Sequence, residues 1–204
     1  MNKFAVRITG LLAMLTLAMG AHAQSGYEAV SPPVPTEVSE GVEVLEFFWY
    51  GCPHCYALHP HIDAWAVRKP ANVKFRLVAA PLNSSWTMHS RAYYAAEVLD
   101  VLDRFHEPFF DVIHKGRKNM RKEDEVVAFA ASLGIDGNAF RDAMNSFATE
   151  TRLRRALQLA DAYRISGVPT VTVNGKYKTS GQLAGGHPQM IKVMEKLIAD
   201  EGGS

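Results

Sequence analysis

An α/β fold, with a central mixed sheet flanked by helices and an all-helical block inserted into it, is predicted by three observations. A strand, a helix and a second strand follow one another between residues 40 and 78. Helical periodicity then runs without a strand from Ser84 to about Tyr163, and strands return at Thr170 before a last helix. That order wraps one sheet around an interruption, and a right-handed crossover is expected in the first unit.

The elements follow in order. The first residues carry Lys3 and Arg7, an apolar core at residues 11–19, and Ala21-His22-Ala23 before Gln24. This is the layout of a secretory signal peptide cleaved after residue 23, with a core well short of the roughly 20 apolar residues that span a bilayer. Its removal takes away two basic residues and no acid, leaving 20 basic against 21 acidic residues, a balance that points to no nucleic-acid partner. The rest suits one domain carrying an insertion: residues 24–82 form the first part of the sheet unit, 83–150 the helical insertion, and 151–204 the second part.

After the extended arm Ser31-Pro32-Pro33-Val34-Pro35, which cannot sit inside a sheet, residues 40–50 read as the first strand. A helix begins at Cys52, where Pro53 suits the first turn, and Pro60 is expected to kink or interrupt it before Pro70. Residues 72–78 alternate apolar and polar as a second strand. In the helical block, Ser84 or Ser85 is a candidate cap, residues 125–133 form a helix closed by Gly134, and Asn138 opens another. Residues 151–163 place Leu153, Leu157, Ala160 and Tyr163 on one apolar face, while the basic stretch 115–122, followed by Glu123-Asp124-Glu125, reads as a solvated loop. Asn174-Gly175 between β-prone residues 170–173 and 176–179 predicts an antiparallel hairpin. His187-Pro188 opens a last helix at 189–198, ahead of a flexible Gly202-Gly203 end.

The two cysteines of the chain stand three apart, as Cys52-Pro53-His54-Cys55, directly after the first strand. A C-x-x-C pair at a helix start places the first thiol among unpaired backbone N–H groups at the positive end of the helix dipole, which favours the thiolate that disulfide exchange requires. Outside the cytosol such a pair persists as a disulfide. A structural staple fits less well, because so short a loop constrains little of the unfolded chain. A metal site formed by Cys52, Cys55 and His59 is the rival class, opposed by Pro60 and by the lack of a second Cys or His pair. Haem attachment fails, since Tyr56 stands where C-x-x-C-H needs histidine.

The strand ending in C-x-x-C, Gly167-Val168-Pro169-Thr170 ahead of a later strand, and Glu46 inside the apolar strand resemble the thioredoxin superfamily. More closely, Leu45-Glu46-Phe47-Phe48, Cys52-Pro53-His54-Cys55-Tyr56, Gly167-Val168-Pro169 and Val173-Asn174-Gly175-Lys176-Tyr177 are similar to the DsbA family of periplasmic thiol:disulfide oxidoreductases, whose Pro-His dipeptide stands where thioredoxins carry Gly-Pro. The resemblance covers almost all of the chain after residue 23. It implies a thioredoxin-like fold and a monomeric periplasmic enzyme, without cofactor or metal, that donates a Cys52–Cys55 disulfide to unfolded or partly folded exported proteins. It also implies reoxidation by a DsbB-type, quinone-linked oxidase of the inner membrane.

Residue by residue, the resemblance implies that Cys52 is the nucleophile, Cys55 the resolving thiol, and His54 a source of a hydrogen bond or positive charge to the Cys52 thiolate. It makes Pro169 a cis-proline beside the cysteines, leaving the backbone groups of Val168 for an extended substrate strand. Glu46 would relay the proton of Cys55; the plainer alternative leaves Glu43 and Glu46 exposed at an edge. Trp49, Tyr50 and Met88 are candidates either for an apolar lip that receives substrate or for core. Two other functions remain in view. A reductase or isomerase of the same superfamily is one, although known isomerases resemble dimers with an additional domain for which this chain has no room. A non-catalytic peptide-binding chaperone is the other, and it predicts that Cys52→Ser leaves activity intact.

Overall fold

The computed structural model describes residues 26–202, so the predicted signal peptide lies outside the described residues. At its centre is β2 (Val42–Phe48), every residue of which is buried. A nearly continuous apolar run is what a strand covered on both faces requires. It pairs in parallel with β3 (Val73–Ala79), from Val42↔Val73 to Phe48↔Ala79, and antiparallel with β4 (Thr170–Val173). β5 (Tyr177–Ser180) continues the antiparallel side, and the two-residue β1 (Glu28–Ala29), which the sequence did not suggest, closes it. The mixed sheet has the order β1-β5-β4-β2-β3.

β2 is shorter than the predicted 40–50 at both ends. Gly41 turns the chain at φ +85°, where a Cβ would fall 2.0 Å from the Asn72 carbonyl oxygen, and a turn over residues 49–52 ends the strand. α1 (Pro53–Arg68) then crosses to β3 and corrects the expectation at Pro60, through which it continues. Proline there removes one N–H, and buried Leu58, His59, Ile62 and Trp65 hold both halves of the helix against the core. The hairpin forms as predicted, with Asn174 at φ 49° and Gly175 at φ 71°. The N-terminal arm lies across its turn, Val34 N–H donating to the Gly175 carbonyl at 2.9 Å.

The helical block comprises α2 (Thr87–Val98), α3 (Leu102–His114), α4 (Glu123–Ser132) and α5 (Gly137–Met144), and α6 (Phe147–Ala162) leads back to the sheet. Neither Ser84 nor Ser85 caps a helix: the Ser85 N–H binds the Asn83 side chain within a turn, and α2 starts two residues later behind Trp86. The cap of α5 is Asp136, whose carboxylate accepts from Ala139 N–H at 2.8 Å, rather than Asn138. α4 closes at Gly134, φ +75°, as expected.

Ser146 accepts from Thr149 N–H, so α6 begins at residue 147 and straddles the 150/151 division as one continuous helix. Its buried residues include Leu153, Ala156, Leu159 and Ala160, and this rotation leaves Leu157 41% exposed instead of in the core. A short α7 (Gly181–Ala184) was not foreseen, and α8 (His187–Gly202) continues past residue 198, with Gly202 inside it. Of the stretch 115–122 expected as a solvated loop, residues 115–119 are exposed, whereas Met120 is 4% exposed and packs into the core.

Two cores result. One joins the helical block to the sheet through Phe47, Phe48, Phe105, Phe109 and Phe110, and includes both cysteines. The other packs Leu58, Ile62 and Trp65 of α1 with Met190 and Met194 of α8 around Val44 and Val171. Among the described residues no helix is long and apolar enough to cross a membrane.

Candidate active site

β2 is followed by a turn over Trp49-Tyr50-Gly51-Cys52, closed by Cys52 N–H donating to the Trp49 carbonyl at 3.0 Å, and α1 begins at the next residue. Cys52 is the N-cap of α1, with no side-chain cap hydrogen bond and with Pro53 in the first turn. The leading N–H groups of the helix are therefore free to face its sulfur. Both cysteines are free thiols, Cys52 9% and Cys55 1% exposed.

Their acidities diverge. The Cys55 thiol donating to the Cys52 sulfur, and then the backbone N–H groups of Cys55 and His54, overcome partial burial and bring Cys52 down to about 6. The positive charge of His54 adds less than either, so the neighbouring thiol and backbone outweigh the imidazole. Burial, and next the hydrogen bond to Cys52, push Cys55 well above the ordinary thiol range.

Glu46 lies in β2, 3% exposed, and its Oε2 has no hydrogen-bond partner among the described residues. Burial, followed by the charge of Asp63, raises it to about 8. The exposed-edge alternative is thus overturned for Glu46 and for Glu43, 4% exposed, because β2 is covered on both faces. The charge of Glu46 adds a smaller upward push on Cys55.

Across from the cysteines, the Val168–Pro169 peptide bond is cis, and Pro169 is buried. The Val168 carbonyl does not stand free: the Cys52 sulfur lies 3.4 Å from it. Beside this loop runs a cleft of about 610 Å³ lined by His54, Gly167, Val168, Pro169, Ser180 and His187.

The suggested lip is only partly present. Trp49 is half-buried and stacks on Trp86, ring centroids 4.4 Å apart and planes within 4°; Met88 is half-buried beside the same core. Tyr50 is 1% exposed and does not belong to a lip, since its ring is enclosed by Phe109 and Phe110 and its hydroxyl lies 2.6 Å from His106 Nδ1. His59, the third ligand of the rival metal reading, packs on Phe110 and sets its Nε2 3.3 Å from Asp63.

Sequence reasoning missed the partners that the helical block supplies. His106 approaches the Tyr50 hydroxyl and His114 the Tyr50 carbonyl. A signal existed: His106, Phe110 and His114 recur every four residues, which places them on one helix face.

Two adjacent thiols of opposite character, one a good leaving group and the other a proton-holding partner, are what disulfide exchange requires. Set at a helix start against a cis-proline loop, they define the protein as a thioredoxin-like thiol:disulfide oxidoreductase. A family model described as a DSBA-like thioredoxin domain matches residues 58–191, and the chain belongs to that family. It is 38% identical over 200 residues to a thiol:disulfide interchange protein DsbA of Pseudomonas aeruginosa, covering 95% of each chain. To that of Azotobacter vinelandii it is 39% identical over 194 residues, covering 90% of this chain and 91% of the relative. A crystal structure of Pseudomonas aeruginosa DsbA superposes with a TM-score of 0.83 at 38% identity, over 86% of this chain and 92% of that one. The oxidoreductase DsbA from Xylella fastidiosa superposes with a TM-score of 0.81 at 31% identity, over 88% and 96%.

Proposed function

We propose that the protein works in the periplasm as a monomeric dithiol oxidase, passing a Cys52–Cys55 disulfide to unfolded or partly folded exported proteins. A client thiolate attacks the Cys52 sulfur, the client–Cys52 disulfide forms, and Cys55 leaves with the electron pair. Glu46, buried and with a carboxyl that titrates near 8, holds a proton at neutral pH and hands it to Cys55. A second client thiolate then attacks the client sulfur of the mixed disulfide, closing the client's disulfide and expelling Cys52 as a thiolate. The client loses two electrons and the enzyme gains two. A DsbB-type quinone-linked oxidase of the inner membrane returns the enzyme to its disulfide form. In this reading the client strand lies along the Val168 backbone, with Pro169 and Trp49 beside it.

The observation that carries the proposal is the difference between the sulfurs: Cys52 brought down to about 6 and Cys55 pushed up. A stable thiolate at Cys52 stabilises the reduced protein, and that makes the disulfide a strong oxidant. Equilibration with glutathione tests it. The expected outcome is a disulfide reduced by modest concentrations of reduced glutathione; a pair that stays oxidised in its large excess would favour the reductase reading.

A further inference from the structure

The turn that delivers Cys52 is held from outside itself. Its ends are joined by the Cys52 N–H to Trp49 carbonyl bond, which leaves the middle peptide, Tyr50–Gly51, to rotate. Rotation of that peptide interconverts type I and type II turns, and type II asks only for positive φ at the third residue, which glycine adopts freely. Gly51 is not at positive φ here, and a Cβ on it would fall 2.2 Å from the Trp49 indole. Packing therefore demands glycine at this position, and glycine leaves the flip open.

What opposes the flip is His114, the last residue of α3, whose Nε2 lies 2.7 Å from the Tyr50 carbonyl oxygen. Since the carbonyl only accepts, Nε2 carries the proton. The imidazole is held in turn: its ring stacks on Tyr56, centroids 4.5 Å apart and planes within 10°. The Tyr56 hydroxyl donates to Asp111, on the same helix as His114, at 2.8 Å. At the other end of Tyr50, its hydroxyl meets His106 of α3.

We propose that His114 is a positioning residue that locks the Tyr50–Gly51 peptide in one orientation and thereby preserves the field around the Cys52 sulfur. Released from His114, the carbonyl would leave the aromatic cluster, where among the described residues it has no other hydrogen-bond partner to compensate its burial, and a half-turn of the peptide would carry it to the opposite face of the turn. The negative end of a peptide dipole would then face the thiolate. The proposal rests on the assignment of Cys52 as the reactive thiolate.

Thiolate absorbance of the reduced protein, titrated against pH in wild type, H114F and H114Q, tests it. H114F keeps a flat ring against Tyr56 and loses the donor, whereas H114Q lacks the ring and keeps an N–H donor. H114F is expected to raise the Cys52 midpoint by about half a unit or more, which slows alkylation below the midpoint about threefold. H114Q should recover most of the shift. An unchanged midpoint in H114F, or an equal shift in H114Q, overturns the proposal. A wild-type midpoint in the ordinary thiol range would instead remove the Cys52 assignment, so the two failures are distinguishable. If H114F does not fold, nuclear magnetic resonance of the wild type decides, because the His114 Nε2 proton must be protected from water and coupled to the Tyr50 carbonyl carbon. A rapidly exchanging proton without that coupling overturns the proposal.

Discussion

Cys52 and Cys55 are separated by two residues, yet they sit in opposite surroundings. The first, at the unfilled cap of α1, faces N–H groups and the Val168 carbonyl; the second, one turn deeper, faces Phe-rich core and the carboxyl of Glu46. The same side chain becomes an acid at one position and a proton holder at the other. Chemical direction at this site comes from the depth at which each sulfur sits, more than from the residues between them, since His54 contributes less to Cys52 than the Cys55 thiol and the backbone do.

The widest break in that comparison comes from exchanging the thiols one at a time. Cys52→Ser is expected to abolish disulfide transfer to a reduced client, while Cys55→Ser should keep a reactive Cys52 and accumulate covalent client complexes on non-reducing gels. Transfer that survives Cys52→Ser would support a chaperone instead.

A smaller effect is expected from the deep side. Glu46 is raised to about 8 in the fold, so it costs nothing below the ordinary carboxylate value, where both states are protonated, and stability is lost as pH rises from there through about 8. Glu46→Gln should therefore stabilise the protein at pH 7 by on the order of 3 kcal/mol and have little effect near pH 4. Urea midpoints at the two pH values measure it, and equal differences at both would contradict the buried-acid assignment. The same variant should slow departure of Cys55, seen as a longer-lived mixed disulfide.

The outer sulfur predicts a gentler trend of opposite sign. Cys52 is depressed to about 6, so it stabilises the reduced fold fully above the ordinary thiol value and loses that contribution as pH falls through about 6. Cys55 is pushed well above the ordinary thiol range and stays protonated through this window. Glu46 is common to both redox forms, so the difference between them isolates the thiols. The reduced protein is expected to be more stable than the disulfide form at pH 7, with the gap shrinking toward pH 5 by about 1.4 kcal/mol in all, since pH 7 lies about one unit above the Cys52 value of about 6 and below the ordinary thiol value. Denaturant unfolding of both forms checks this, and a gap that widens on acidification would reverse the assignment of the two sulfurs.

Local signals explain what could be read in advance. Strands β2 to β5, the hairpin at Asn174-Gly175 and the C-x-x-C pair at a helix start are each encoded within a dozen neighbouring residues. Glu46 could be suspected of burial because Leu45, Phe47 and Phe48 flank it. The failures share a cause in contacts made far along the chain. Tyr50 looks like a surface aromatic until His106, Phe109 and Phe110 of α3 close over it, 56 or more residues away. Trp49 meets Trp86, and β1 exists only because β5 offers it an edge. At helix starts the errors were of one to four residues, where several polar side chains compete and only the folded backbone chooses between them, as Asp136 over Asn138.

One feature of α1 sets selection for folding against selection for chemistry. Helices commonly begin with Ser, Thr, Asp or Asn, whose oxygen satisfies a leading N–H and contributes about 1 kcal/mol. At position 52 that role is given up to sulfur, and the helix starts without a side-chain cap hydrogen bond. Residues that would best finish the helix are therefore the ones that would silence the enzyme. A library at position 52 sorted for thermal stability alone would enrich oxygen side chains and discard cysteine, whereas a library sorted for disulfide transfer would keep cysteine only. Such opposed preferences at a single position are how an active site records its history in a stability landscape.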